Sequence, residues 1–204
     1  ATTADSPHRQ ESAPTPAGNP LLDVAYIAVF AALIIALAFV AIPVGAAGVP
    51  IVLQNAAVIL AGLILGRTRG FLTALLFLGL GLIGLPVLAG GKTTLAALGG
   101  PTIGYLVGYL VSATVAGSIA YLAPRGNRKA LTIYLALGAI AALACQYLCG
   151  SVGMMFRADM SFGQALAVNV PFLIPDLIKA ACAVAIASGV HLSLPDIRRK
   201  AFLK

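Results

Sequence analysis

Asp176 and Lys179 are the residues whose type and setting most suggest chemistry. They stand three apart inside an apolar run from about 166 to 194, so a helix puts them on one face. A charge at membrane depth costs at least a few kcal/mol and marks a functional position by default. Such a pair either holds a polar ligand or locks two helices together. A carboxylate accepts and an ammonium donates, and in a dry cavity charge-assisted hydrogen bonds are the strong kind. Pro171 and Pro175, just upstream, loosen the helix, and irregular backbone at depth is tolerated mainly where it lines a cavity. Gln54, Tyr105, Gln146, Tyr147, Asn169 and Phe172 are candidates to complete that cavity. Each can equally cap, hydrogen-bond or pack.

A second informative stretch runs from Leu88 to Gly100. Its Gly90 and Gly91 allow close backbone approach to a ligand, and Lys92 follows them. Gly90-Gly91-Lys92-Thr93 resembles the end of a phosphate loop, but that pattern needs glycine at position 86, which is Pro86, and a preceding strand, which the apolar run excludes. Conventional catalysis is poorly supported. His8 and His191 pair with no obvious nucleophile and acid, and there is no HExxH and no aspartate cluster for magnesium. Cys145, Cys149 and Cys182 sit in apolar runs and read as packing residues. No enzyme, metal site or resident cofactor is expected.

The elements that must position these residues follow from composition. Of 204 residues, 60% are hydrophobic and 9% charged. Soluble domains carry about a quarter charged residues, so this chain lacks the polar surface that water requires, and a lipid surround is implied. Apolar runs at about 22–43, 50–66, 71–89, 102–123, 130–150 and 166–194 are each close to the roughly 20 residues of a spanning helix. The expectation is an all-α integral membrane protein with six transmembrane helices, N-in and C-in. With the N-terminus inside, ten basic residues fall in inside segments: Arg9, Arg67, Arg69, Arg125, Arg128, Lys129, Arg198, Arg199, Lys200 and Lys204. Only Lys92 and Arg157 fall outside. The same scatter of charge argues against nucleic-acid binding. Residues 1–20 read as a flexible polar tail, 21–195 as the transmembrane domain and 196–204 as a basic cytoplasmic tail. Small residues repeat every fourth position at Gly100, Gly104, Gly108, Ser112, Ala116 and Ala120, and again at Ala28, Ala32 and Ala36. Such faces let helices approach closely in lipid. The first set reads as internal packing; the second suits packing or a partner.

Three segments together resemble the BioY family, the biotin-binding S components of energy-coupling-factor vitamin transporters. They are Gly79-Leu80-Gly81-Leu82-Ile83-Gly84-Leu85-Pro86-Val87-Leu88-Ala89-Gly90-Gly91, Gly100-Pro101-Thr102-Ile103-Gly104-Tyr105-Leu106-Val107-Gly108 and Pro171-Phe172-Leu173-Ile174-Pro175-Asp176-Leu177-Ile178-Lys179. The resemblance covers about 21–195. Lys92, Thr93 and Thr94, and Ile103 in a glycine place, depart from the family pattern. It implies an S-component fold in a bacterial inner membrane. Biotin, as substrate, would sit near the extracellular face under the loop between the first two helices and the loop after the third. It also implies a transmembrane coupling subunit, met by Ala28, Ala32 and Ala36, and two cytoplasmic ATPases. On this reading Asp176 accepts from a ureido N–H, and Lys179 meets either the ureido oxygen or the carboxylate. The alternatives are an S component for another vitamin, an intramembrane enzyme using Asp176, and a membrane subunit with a structural ion pair.

Overall fold

The computed structural model describes residues 19–42 and 51–198. The polar segment to residue 18, the Gly/Ala stretch at 45–48 and the segment 199–204, with Arg199, Lys200 and Lys204, lie outside the described residues. In chain order the elements are α1 (Pro20–Ala38), a two-residue antiparallel pair β1 (Ala41–Ile42) and β2 (Ile51–Val52), α2 (Gln54–Leu65), α3 (Arg67–Leu82), the short α4 (Thr94–Ala97), α5 (Ile103–Ala120), α6 (Arg128–Arg157), the short α7 (Phe162–Ala167), α8 (Val170–Ser193) and a 3-10 turn (Pro195–Arg198). Among the described residues the fold is all-helical apart from that pair, whose register is Ala41 with Val52 and Ile42 with Ile51.

Helix boundaries follow local chemistry. Asn19 caps α1 by accepting from the Leu21 amide at 3.1 Å, with Pro20 at the first helical position. Asn127 caps α6 in the same way. Ser161 and Gln164 form a capping box on α7. Gly66 divides α2 from α3 with φ of +85°, and a Cβ there would meet the Tyr121 ring at 2.8 Å. Glycine is thus required both by the backbone and by the space. The break therefore falls at Gly66, and Arg67 and Arg69 belong to the first turn of α3 rather than to a loop. The expected sixth run divides after α7, which puts Pro171 in the first turn of α8 and Pro175 inside that helix.

Four described helices, α1, α5, α6 and α8, are long and apolar enough to cross a bilayer. The expectation of six includes α2 and α3, which have 12 and 16 residues. The brevity of α2 has a physical reason. It is packed against α1, α3, α5, α6 and α8, and nearly all its side chains are buried, so protein rather than lipid satisfies its ends. The small-residue face of α5 is internal from Gly104 onward. A Cβ on Gly104 would overlap the Cys149 carbonyl of α6, and Ser112, Ala116 and Ala120 are buried. Ala28, Ala32 and Ala36 are exposed on α1.

One end of the bundle is held by buried charge. Arg69 Nε lies 3.0 Å from Asp23 Oδ1, with both side chains about 5% exposed. Its Nη1 donates to the Ile197 carbonyl at 3.2 Å, and its guanidinium lies 5.8 Å from the Tyr26 ring centre. This joins α1, α3 and the C-terminal turn.

Candidate functional site

At the other end, α2, α5, α6 and α8 enclose a cavity of about 370 Å³, within the range of about 300–1,000 Å³ usual for small-molecule sites. Asp176 lies six residues beyond Val170, about 9 Å along the axis of α8 at the helical rise. Its Oδ1 is 2.5 Å from Lys179 Nζ and accepts from Asn55 Nδ2 at 3.1 Å; its Oδ2 accepts from the Tyr147 hydroxyl at 2.6 Å. Lys179 Nζ also donates to Asn55 Oδ1 and to the Val52 carbonyl, each at 2.8 Å.

Asn55 therefore serves both charges, donating to the acid and accepting from the base. Every donor of the ammonium is taken. The carboxylate is less filled: Oδ1 has two partners and Oδ2 one, which leaves an acceptor position on Oδ2. The pair is thus neutralised within the protein, with side chains 6% and 12% exposed, and still offers one charged acceptor at the cavity.

The remaining polar groups are fixed by their own bonds. Tyr105 donates to Asn169 Oδ1 at 2.5 Å, while Asn169 Nδ2 donates to Ser151 at 3.0 Å. Gln146 Nε2 donates to Ser112 at 3.0 Å and to the Asn55 carbonyl at 3.3 Å. Gln54 Nε2 donates to the Val87 carbonyl at 2.7 Å, which ties the start of α2 to the segment after α3. Ile51, Val52, Ala89, Met154, Val168 and Phe172 supply apolar wall. The result is an apolar pocket with a few oriented polar groups, suited to a small ligand with a polar ring and an apolar body.

Asp176, Lys179, Gln54, Gln146, Tyr105, Tyr147, Asn169 and Phe172 all line this cavity. Gly90, Gly91 and Lys92 do not. Leu88 donates to the Lys92 carbonyl at 2.9 Å, and Gly90 and Gly91 turn the chain with φ of +74° and +72°. Their glycine character serves that turn, whose tip is exposed, and only Ala89 of this stretch reaches the cavity. Sequence reasoning missed Asn55, Tyr109 and Thr102, which also line it. Adjacent amides at 54 and 55, opening an apolar run, were the available signal for Asn55.

The BioY family model matches residues 9–196. The chain belongs to the BioY family. Among curated BioY proteins, the biotin transporter BioY of Rhodobacter capsulatus is 42% identical over 168 residues, which cover 77% of this chain and 86% of that one. The biotin transporter BioY of Rhizobium etli is 34% identical over 187 residues, covering 88% and 98%. Among solved structures, a crystal structure of the S-component for biotin from an ECF-type ABC transporter aligns with a TM-score of 0.73 at 31% identity, covering 84% of this chain and 92% of that one.

Proposed function

We infer that this BioY-family chain is the biotin-capturing subunit of a membrane uptake system, and that biotin is held in the cavity between α2, α5, α6 and α8. Membership of the family and likeness to biotin transporters and to a biotin S-component support the substrate. The observation that carries the location is the Asp176–Asn55–Lys179 network opening on an apolar cavity.

The chemistry is complementary. The open position on Asp176 Oδ2 accepts a ureido N–H. The thiophane ring and the aliphatic chain lie against Phe172, Met154 and Val168. Lys179 has no spare donor, so it reaches a ligand oxygen only by giving up a present partner. Of its two neutral partners at 2.8 Å, Asn55 Oδ1 is also held in place by Asp176, so the Val52 carbonyl at the end of β2 is the one given up. Engagement of Lys179 by biotin would then free the end of β2 from α8, which couples occupancy to the connection between α1 and α2. Tyr105 and Asn169 orient the ligand from the mouth.

The chain crosses the bacterial inner membrane six times, with α2 and α3 as the short pair and both termini in the cytoplasm. The basic bias of ten against two supports that orientation. Transport draws its energy from partners: a transmembrane coupling subunit, seated on the exposed Ala28, Ala32 and Ala36 face of α1, and two cytoplasmic ATPases. Biotin passes through unchanged and no resident cofactor takes part.

Calorimetric titration of biotin into the detergent-purified protein, with thiamine and riboflavin alongside, tests the assignment. One-to-one binding of biotin alone is expected. A folded sample that ignores biotin, or binds thiamine or riboflavin as tightly, overturns it.

A further inference from the structure

A second cavity, of about 250 Å³, lies at the end of the bundle held by Asp23 and Arg69. Its walls are the connection between α5 and α6, the last turn of α8 and the C-terminal 3-10 turn. Among the described residues three guanidinium groups line it, those of Arg125, Arg128 and Arg198, and no carboxylate does. We propose that this pocket binds the phosphate headgroup of an anionic phospholipid.

The guanidinium groups keep donors to spare. Arg198 uses Nη2 on the carbonyls of Ala120, Tyr121 and Ala123, at 3.5, 3.2 and 2.8 Å, capping the end of α5. Its Nη1 and Nε have no hydrogen bond among the described residues. Arg125 gives Nη2 to the Arg198 carbonyl at 3.2 Å. The exposed Arg128 side chain donates to none of the described residues. Planar forks of this kind match phosphate oxygens. Arg128 also opens the 30-residue α6, whose N-terminal amides and dipole favour an anion at the same place.

A further atom in the wall lacks a partner. His191 is 5% exposed and lines the pocket. The Leu63 carbonyl, 2.9 Å from its Nε2, can only accept, so Nε2 carries the proton, and the buried Nδ1 is left without a hydrogen bond. An acceptor in that state calls for a donor, such as a headgroup hydroxyl or a bound water, and not for a phosphate oxygen.

The surroundings select a lipid over a soluble phosphate. The pocket opens where apolar helices end. Leu192 is part of its wall and 47% exposed, and Leu122 and Leu194 are 68% and 51% exposed at the same level. A headgroup in the pocket can therefore lay its acyl chains on apolar surface. Basic pockets between helix ends at a membrane boundary take anionic headgroups for this reason.

Native mass spectrometry of the full-length protein in mixed micelles tests this, with phosphatidylglycerol, phosphatidylethanolamine and soluble glycerol 1-phosphate as probes. The wild type should retain phosphatidylglycerol at least tenfold better than phosphatidylethanolamine. Arg125→Gln with Arg128→Gln should bring that preference to within twofold, while leaving the Arg198 cap of α5 in place. Lys92→Gln with Arg157→Gln removes the same charge at the opposite end and should leave the preference intact. Equal retention of the two lipids by the wild type overturns the proposal. So does an equal loss in the Lys92 and Arg157 variant, which would mean diffuse surface charge. Glycerol 1-phosphate binding as tightly as the lipid overturns the lipid as occupant.

Discussion

Replacing Asp176 by Asn changes the charge and almost nothing of the shape. In the wild type Oδ1 faces two donors, Lys179 at 2.5 Å and Asn55 at 3.1 Å, and Oδ2 faces one, Tyr147 at 2.6 Å. The amide oxygen of the variant takes the Oδ1 place, because Lys179 and Asn55 both point donors at it. The amide nitrogen then stands where Oδ2 was and presents N–H to the cavity. A ureido N–H meets a donor in place of a charged acceptor. The lost charge-assisted bond is worth about 1.5–3 kcal/mol, or roughly a tenfold to 150-fold weaker Kd. Stability should fall by less than the about 3–5 kcal/mol of a fully buried broken pair, because Lys179 keeps Val52 and Asn55 as partners. The assay is calorimetric titration of both proteins in one detergent, with thermal unfolding of each sample beside it. A variant that binds biotin at wild-type affinity and unfolds normally would show that Asp176 Oδ2 does not accept from the ligand.

Joint replacement, Asp176→Leu with Lys179→Met, separates a ligand site from a structural lock: biotin binding should vanish while a folded, monodisperse sample survives, and retained binding would favour the lock. Asn55→Leu removes the bridge between the two charges and should weaken biotin by several-fold to tenfold in the same titration. Asp23→Asn breaks the buried pair with Arg69 and should lower stability by up to about 3 kcal/mol, read as thermal unfolding, with biotin affinity unchanged because the cavity lies at the other end. Ala32→Trp, on the exposed face of α1, should leave biotin binding intact and abolish co-purification with the coupling subunit.

The sequence exposed Asp176 and Lys179 because charge is rare in this chain and conspicuous in an apolar run. It also exposed most of the wall, since Tyr105, Tyr147 and Asn169 are polar interruptions of the same kind. Asn55 was hidden by distance: its bonds to Asp176 and Lys179 depend on how α2 lies against α8, over 120 positions away along the chain. The pairing of Arg69 was hidden for a related reason: the sequence places it among the inside basic residues, whereas its partner Asp23 belongs to another helix. The length of α2 was illegible because apolar residues alone do not distinguish a helix wrapped in protein from one that meets lipid along its length. At Gly90 and Gly91 the glycines did mark a special backbone, a turn with positive φ that lies outside the cavity lining.

A structure of the protein determined with saturating biotin tests the seating of the ligand between α2, α5, α6 and α8. The ureido ring is expected within hydrogen-bond distance of Asp176 Oδ2, the body of the ligand against Phe172, and the Val52 carbonyl released from Lys179. Biotin seated elsewhere, or a cavity empty at saturation with Asp176, Asn55 and Lys179 still joined, would contradict that seating.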